Sequence, residues 1–271
     1  MQHIVRSTVA LFMLVICAAA RAQAPAPLIN PTGDHADLAP TATNDQILDA
    51  LDQTGKSLKD FTAKVSLTEG DPDLGDLKTS IGQVWFQKKG DSDGRIRVTF
   101  DKRKVGQLYR KEKIEYLLDN GLLIDRNYIK NLEDRRQVIR PGEKINLLKL
   151  GEGPFPLPIG QKKEDVYAQF DVMQKSAAKD ENKDLAGTIH LQLKPKPGTR
   201  FVKRFAMIDI WVSRASKFPV QIITVAPDGE RKVTKLTDVQ INAAGGLKDS
   251  DFALPPIDEK TWGIHTEKYA D

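Results

Sequence analysis

The sequence has little of what most enzyme chemistry requires. Among 271 residues there is one cysteine and there are four histidines. The cysteine, Cys17, lies inside an N-terminal apolar run, Thr8 to Ala20 (TVALFMLVICAAA), which follows a short basic segment ending at Arg6. Small residues come next, and a basic start, an apolar middle and a small-residue end are what a signal peptidase reads. The run is shorter than the roughly 20 residues a membrane helix needs. Cleavage is expected after Ala22, within Ala20-Arg21-Ala22, because the competing cut after Ala24 would put the rigid ring of Pro25 just past the scissile bond. Lipidation at Cys17 is disfavoured, since Ile16 before it is not small and the cysteine sits inside the run. Removing residues 1–22 removes the only thiol, so the mature chain needs no disulfide in an oxidising compartment and has no thiol chemistry.

The histidines are scattered. His3 leaves with the signal, His35 falls in a Pro- and Ala-rich leader, His190 on the polar side of a strand pattern and His265 near the C-terminus. They match no metal-ligand spacing. Neither a nucleophile-elbow motif nor a phosphate-cradling glycine loop occurs. Gly151-Glu152-Gly153, beside Pro154 and Pro156, reads as a hinge, and the pairs Asp71/Asp73 and Asp249/Asp251 read as solvated turn residues. No enzymatic activity, cofactor or metal is therefore expected.

A dominant charge is also missing. Of 41 basic residues, Arg6 and Arg21 belong to the signal, which leaves 39 against 37 acidic ones, with the signs mixed along the chain. A nucleic-acid partner is not expected, because such proteins gather basic residues in blocks with interleaved aromatics. No apolar run after the signal approaches spanning length, and about 250 mature residues are enough to bury a substantial core.

What the sequence does contain is strands. Residues 23–42 read as a flexible leader. Thr43 with Gln46 forms a capping-box pattern that opens a helix through about Leu58, with Ile47, Leu48 and Leu51 on one side. Period-two alternation follows: Phe61, Ala63, Val65 and Leu67; Ile96, Val98 and Phe100; Ile189, Leu191 and Leu193. Strands are expected near 59–69, 77–89, 94–102, 106–111, 113–119, 122–130, 135–141, 168–176, 186–194, 203–213, 217–226 and 230–242, some of them merging to leave nine to eleven. Asp91-Ser92-Asp93-Gly94, Asp119-Asn120-Gly121 and Pro227-Asp228-Gly229 supply turn chemistry for antiparallel hairpins. An irregular stretch, Leu147 to Val166, carries Phe155, Leu157 and Ile159, and a short helix is expected over 162–168.

Several strands are apolar on both sides. Val84 and Phe86 alternate with Ile81 and Trp85; Ile208, Ile210 and Val212 alternate with Met207 and Trp211. Such a sheet must be covered on both faces or must line something apolar. Little helix is predicted to cover it, which leaves two readings: a self-packed sandwich or closed barrel, or a lipid-binding concavity.

The order of segments resembles the periplasmic lipoprotein-carrier family, LolA and its relatives, over residues 44–256. The likeness rests on LKDFTAKVSL (58–67), IGQVWFQKKGDSDGRIRVTF (81–100), KIEYLLDNGLLIDRNY (113–128), and the closing hairpin from Phe218 with DFALPP (251–256). It implies a mainly β fold, an incomplete half-open antiparallel β-barrel whose strongly curved sheet is lidded on its concave face by a few helices and a loop. It divides the chain into a signal (1–22), the leader (23–42), a lipid-binding domain (43–256) and a C-terminal tail (257–271). It implies a soluble periplasmic carrier of lipoprotein acyl chains, or of another lipid, with a donor transporter in the inner membrane and an acceptor in the outer membrane. Carried over, the cavity residues would be Val84, Phe86, Ile96, Val98 and Phe100, with Phe155, Leu157 and Ile159 on the lid. Lys88 stands about where the family has an arginine that holds the lid shut, and lysine lacks arginine's planar fork. A sensor or scaffold that uses the same fold to bind an envelope protein is the alternative.

Overall fold

The computed structural model describes residues 36–71, 75–90, 93–140, 142–143, 147–148, 159–175 and 185–269. The signal, the leader as far as residue 35, and the lid residues Phe155 and Leu157 lie outside the described residues.

The described residues form one mainly β unit, a single open, curved sheet of twelve strands with three α-helices. In chain order these are α1 (Asn44–Ser57), β1 (Asp60–Gly70), β2 (Lys78–Gly90), β3 (Asp93–Val105), β4 (Leu108–Asp119), β5 (Leu122–Asn127) and β6 (Leu132–Gln137). They continue with α2 (Lys163–Gln169), β7 (Phe170–Lys175), β8 (Thr188–Pro195), β9 (Met207–Ser213), β10 (Pro219–Val225), β11 (Arg231–Ile241), α3 (Asp249–Phe252) and β12 (Gly263–Glu267). The spatial order is β12-β6-β5-β4-β3-β2-β1-β11-β10-β9-β8-β7, so the two ends do not meet. Every described pairing is antiparallel except that of β12 with β6. Closure of the sheet into a barrel is excluded.

The capping box that opens α1 forms as read: Thr43 accepts from the Gln46 N–H, and the Gln46 side chain accepts from the Thr43 N–H at 2.9 Å. Strand boundaries differ more. The expected strands 106–111 and 113–119 are one strand, β4, and the chain turns at Gly106-Gln107, where Gly106 adopts φ +59°.

One face of the sheet is continuous hydrocarbon. Leu191, Ile210 and Ile222 share it on β8–β10, and Phe61, Val65, Phe86 and Val98 continue it across β1–β3. Helix α1 lays Ile47, Leu48 and Leu51 into this core, and α2 adds Val166. The helices are tied together by Tyr167, whose hydroxyl donates to Asp45 at 2.7 Å, and by Lys163 to Asp49 at 2.9 Å. The Tyr167 hydrogen bond is the largest influence on Asp45, and it holds the carboxyl below its ordinary range.

Register slips mark where the sheet bends. Between β2 and β3 the extra residue is Asp101, unpaired opposite Ile81/Gly82; between β3 and β4 it falls on β4, where Glu112 and Lys113 stand against Asp101 alone. Such bulges increase local twist and bend a strand. Gly82 is required there, because a Cβ would sit 1.6 Å from the Thr99 carbonyl oxygen.

Over β2–β6 the opposite face is covered by the chain's own C-terminal segment, and arginines hold it. Glu115, Arg126 and Glu133 stand in register across β4, β5 and β6, and none is more than 5% exposed. Arg97 donates to Glu115 at 2.7 Å, and Tyr128 donates to the other oxygen of the same carboxylate. The Arg126 guanidinium bonds Glu133 and also the Pro255 carbonyl at 2.6 Å. Arg97 donates to the carbonyls of Asp251 and Ala253. Arg95 bonds Gln87 and Asp249 and stacks 4.1 Å over Phe252. The segment continues to Trp262, edge-on to Tyr128 at 5.2 Å, and ends as β12 on the sheet edge.

Two expectations follow. Gly82→Ala should lower unfolding free energy by about 3 kcal/mol or more, because the clash is with backbone and not with a flexible side chain. Urea denaturation measures this. Arg126→Met should cost about 3 kcal/mol by leaving Glu133 short of a partner and Pro255 unbonded. It should also speed trypsin cleavage at the already exposed Lys260 by loosening the chain after Ala253, read by limited proteolysis.

Candidate functional site

The helices cover one part of the concave face. Over β1–β5 that face holds a cavity of about 350 Å³, and no residue of α1 or α2 lines it. Its walls are apolar. Ile96, Val98 and Phe100 of β3 form one side, with Ile114 and Leu118 of β4, Leu123 of β5 and Leu67 of β1 around them. Period-two alternation places these side chains on one face, and antiparallel register sets Val98 beside Tyr116 and Ile96 beside Leu118. From Ile96 to Arg103 the cavity follows β3 for about 20 Å at the usual strand rise.

One end is polar. Glu112, buried, accepts from Ser80 at 3.1 Å and from Arg103 at 3.0 Å. Arg103 keeps its Nε buried without an acceptor. Tyr116 lines the cavity between the apolar walls and this cluster, edge-on to Phe100 at 6.2 Å. Burial, and next the negative charge of Asp125, Glu69 and Glu112, push its hydroxyl up to about 12. The site is thus a hydrocarbon slot that ends in a mixed polar cluster, with the carboxylates of Glu69 and Glu112 beside Ser80 and Arg103. Among the described residues no cluster of three or more His, Cys, Asp or Glu side chains could hold a metal ion.

Of the expected cavity residues, Ile96, Val98 and Phe100 line the slot. Val84 and Phe86 lie on the same face, buried in the adjoining core, where Phe86 stacks on Phe61 at 5.4 Å. Ile159 is fully buried. Beside it, Gly160 packs so closely on Gly55 of α1 that a Cβ on Gly55 would lie 2.2 Å from the Gly160 nitrogen. The Gly160 N–H donates to the Leu51 carbonyl at 3.3 Å. The end of the expected lid segment is therefore bonded to α1. Lys88 donates its backbone N–H to the Lys59 carbonyl at 2.7 Å, at the start of β1. Sequence reasoning did not identify Arg103, Glu112, Ser80 and Tyr116. The signal was present as an acid inside a basic run, but the partner Ser80 comes from another strand.

No family model matches the chain, and no curated protein matches it. Solved structures align with it at low identity. An uncharacterized conserved protein from Thermus thermophilus is 14% identical, with 81% of this chain and 96% of that chain covered and a TM-score of 0.44. The MucA/MucB complex of Pseudomonas aeruginosa gives 10% identity and a TM-score of 0.44; 78% of this chain aligns, and it spans 60% of that chain. The LolA superfamily protein NE2245 from Nitrosomonas europaea gives 13% identity and a TM-score of 0.30, with 79% and 99% covered. Function is therefore read from the cavity and not from these likenesses.

The raised Tyr116 hydroxyl has a pH consequence. The folded chain holds this proton more tightly than the unfolded chain, where tyrosine titrates near 10. Stability from neutral Tyr116 is therefore complete below about pH 10 and is lost as pH rises from there toward 12. Tyr116→Phe should lose less stability between pH 9 and pH 11 than the parent, measured as the shift in urea midpoint.

Proposed function

We propose that this chain is an exported, soluble periplasmic carrier that binds the acyl chain of a lipoprotein or another lipid in the concave slot and moves it toward the outer membrane. The observation that carries the reading is the slot itself, about 350 Å³ of hydrocarbon-walled space on a sheet face that the helices leave uncovered. A methylene takes up about as much room as a liquid water, about 30 Å³, so the slot accommodates about a dozen. Each buried methylene contributes roughly 0.8 kcal/mol, so affinity needs few polar contacts. The Tyr116 hydroxyl, neutral and lining the slot, can donate to an ester oxygen of an amphiphile. A donor in the inner membrane and an acceptor in the outer one complete this reading.

The test is direct. Protein recovered from the periplasm should carry lipid detectable by mass spectrometry, and delipidated protein should take up a fluorescent fatty-acyl probe. Ile114→Trp, which fills the slot from its edge, should weaken uptake about tenfold or more with little change in urea midpoint. Consistently empty protein with no uptake would overturn the reading. Stable capture of an envelope protein by such empty protein would favour the sensor or scaffold instead.

A further inference from the structure

The β3–β4 hairpin ends in a surface that local stability does not explain. Within residues 102–113 there are six basic side chains and one acid, Glu112, which is buried against Arg103. Lys102 stands directly opposite Lys111, and Arg103 opposite Arg110. Like charges directly opposite on paired strands are destabilising. At the tip, Val105 pairs with Leu108 and Lys104 with Tyr109; Leu108 and Tyr109 are more than 60% exposed. Leu77 and Lys78, at the start of the neighbouring β2, extend the same pattern of exposed hydrocarbon beside cation. In the connection between β1 and β2 the Asp76 carboxylate accepts from the Asp71 N–H at 2.8 Å. β5 pairs with β4 only from Ile114 onward, which leaves residues 108–112 as a cationic strand edge.

We propose that this hairpin tip docks the protein on an anionic lipid surface. Exposed aliphatic and aromatic side chains ringed by Lys and Arg fit the boundary between headgroups and acyl chains, with cations at phosphate level and the apolar tip below it. A nucleic acid would use the cations and leave Val105 and Leu108 in water; a protein groove would not require six positive charges. Alternation sets Val105 and Leu108 on the hairpin side that carries Arg103, which lines the slot, so the docked face is also the face of the slot's polar end. The inference rests on the surface alone, and an empty slot would leave it intact.

Vesicle binding tests it. The mature chain should co-sediment with vesicles containing phosphatidylglycerol and not with pure phosphatidylcholine, and about 0.5 M salt should release it. Leu108→Cys carrying an environment-sensitive fluorophore should shift its emission to the blue on the anionic vesicles only. Lys111→Glu separates function from folding. It replaces a like-charge pair by an opposite one, so the urea midpoint should hold or rise, while vesicle affinity falls about 25-fold at about fivefold per charge. Equal binding to neutral vesicles, no blue shift, or unchanged affinity in Lys111→Glu would overturn the proposal. So would tighter binding to RNA than to vesicles, or a self-association that Leu108→Asp dissolves.

Discussion

An open sheet of twelve strands has two faces and must bury hydrocarbon on both, and this one is too wide for its helices to cover. That constraint orders the rest of the molecule. On the concave side α1 and α2 cover the part near β7, anchored by Tyr167 and Lys163. On the convex side no helix longer than the single turn of α3 is present among the described residues, and the cover is the segment from Leu247 to Trp262. Its attachment is ionic as much as apolar. Burying guanidinium and carboxylate groups costs several kcal/mol per ion before pairing, and a buried pair often adds little net stability over hydrocarbon. What the Arg97-Glu115 and Arg126-Glu133 pairs supply is register: each arginine reaches both a cross-strand carboxylate and a carbonyl of the covering segment.

With the C-terminal segment over β2–β6 on the convex side, the hydrocarbon that α1 and α2 leave uncovered lies on the concave face of β1–β5. The bulges near Gly82 and Asp101 bend the sheet where the slot turns from hydrocarbon to the Ser80-Glu112-Arg103 cluster. One wall, β3, thus supplies both the apolar lining and the polar end. Over the helical part the chain before α2 meets α1 backbone on backbone, Gly160 on Gly55, where a Cβ on Gly55 would not fit.

Much of this was legible in sequence, and the parts that were not share a cause. The α1 capping box, the alternation of Ile96, Val98 and Phe100, and the two-sided apolar strands are local signals, and the structure keeps them. The choice between closed barrel and open sheet was not local, since it depends on whether β7 meets β12. Nothing local in the sequence marks Arg97, Glu115, Arg126 and Glu133 as buried, and Glu133 fell between the expected strands 122–130 and 135–141. Only cross-strand register and a tail more than a hundred residues away in sequence make them buried. Net charge misled in the same way. Nearly balanced over the whole chain, it hid a block at 102–113 that a division into three short strands had split across a turn and a boundary.

The placement of the slot bears on how a carrier of this shape would release its cargo. An acyl chain of a dozen methylenes moved through water would cost about 10 kcal/mol of lost burial, enough to make spontaneous release slow. The cost shrinks in proportion to the methylenes that never become wet. Arg103 lies two residues from Val105, and Glu112 four from Leu108, so the slot's polar end lies at the foot of the exposed tip. If that tip enters a headgroup layer, the cluster of Ser80, Glu112 and Arg103 meets lipid phosphates, which compete for Arg103 against Glu112. On the carrier reading, loss of that one ion pair would free Arg103 at the slot's polar end only at a membrane, and would leave the hydrocarbon walls unchanged.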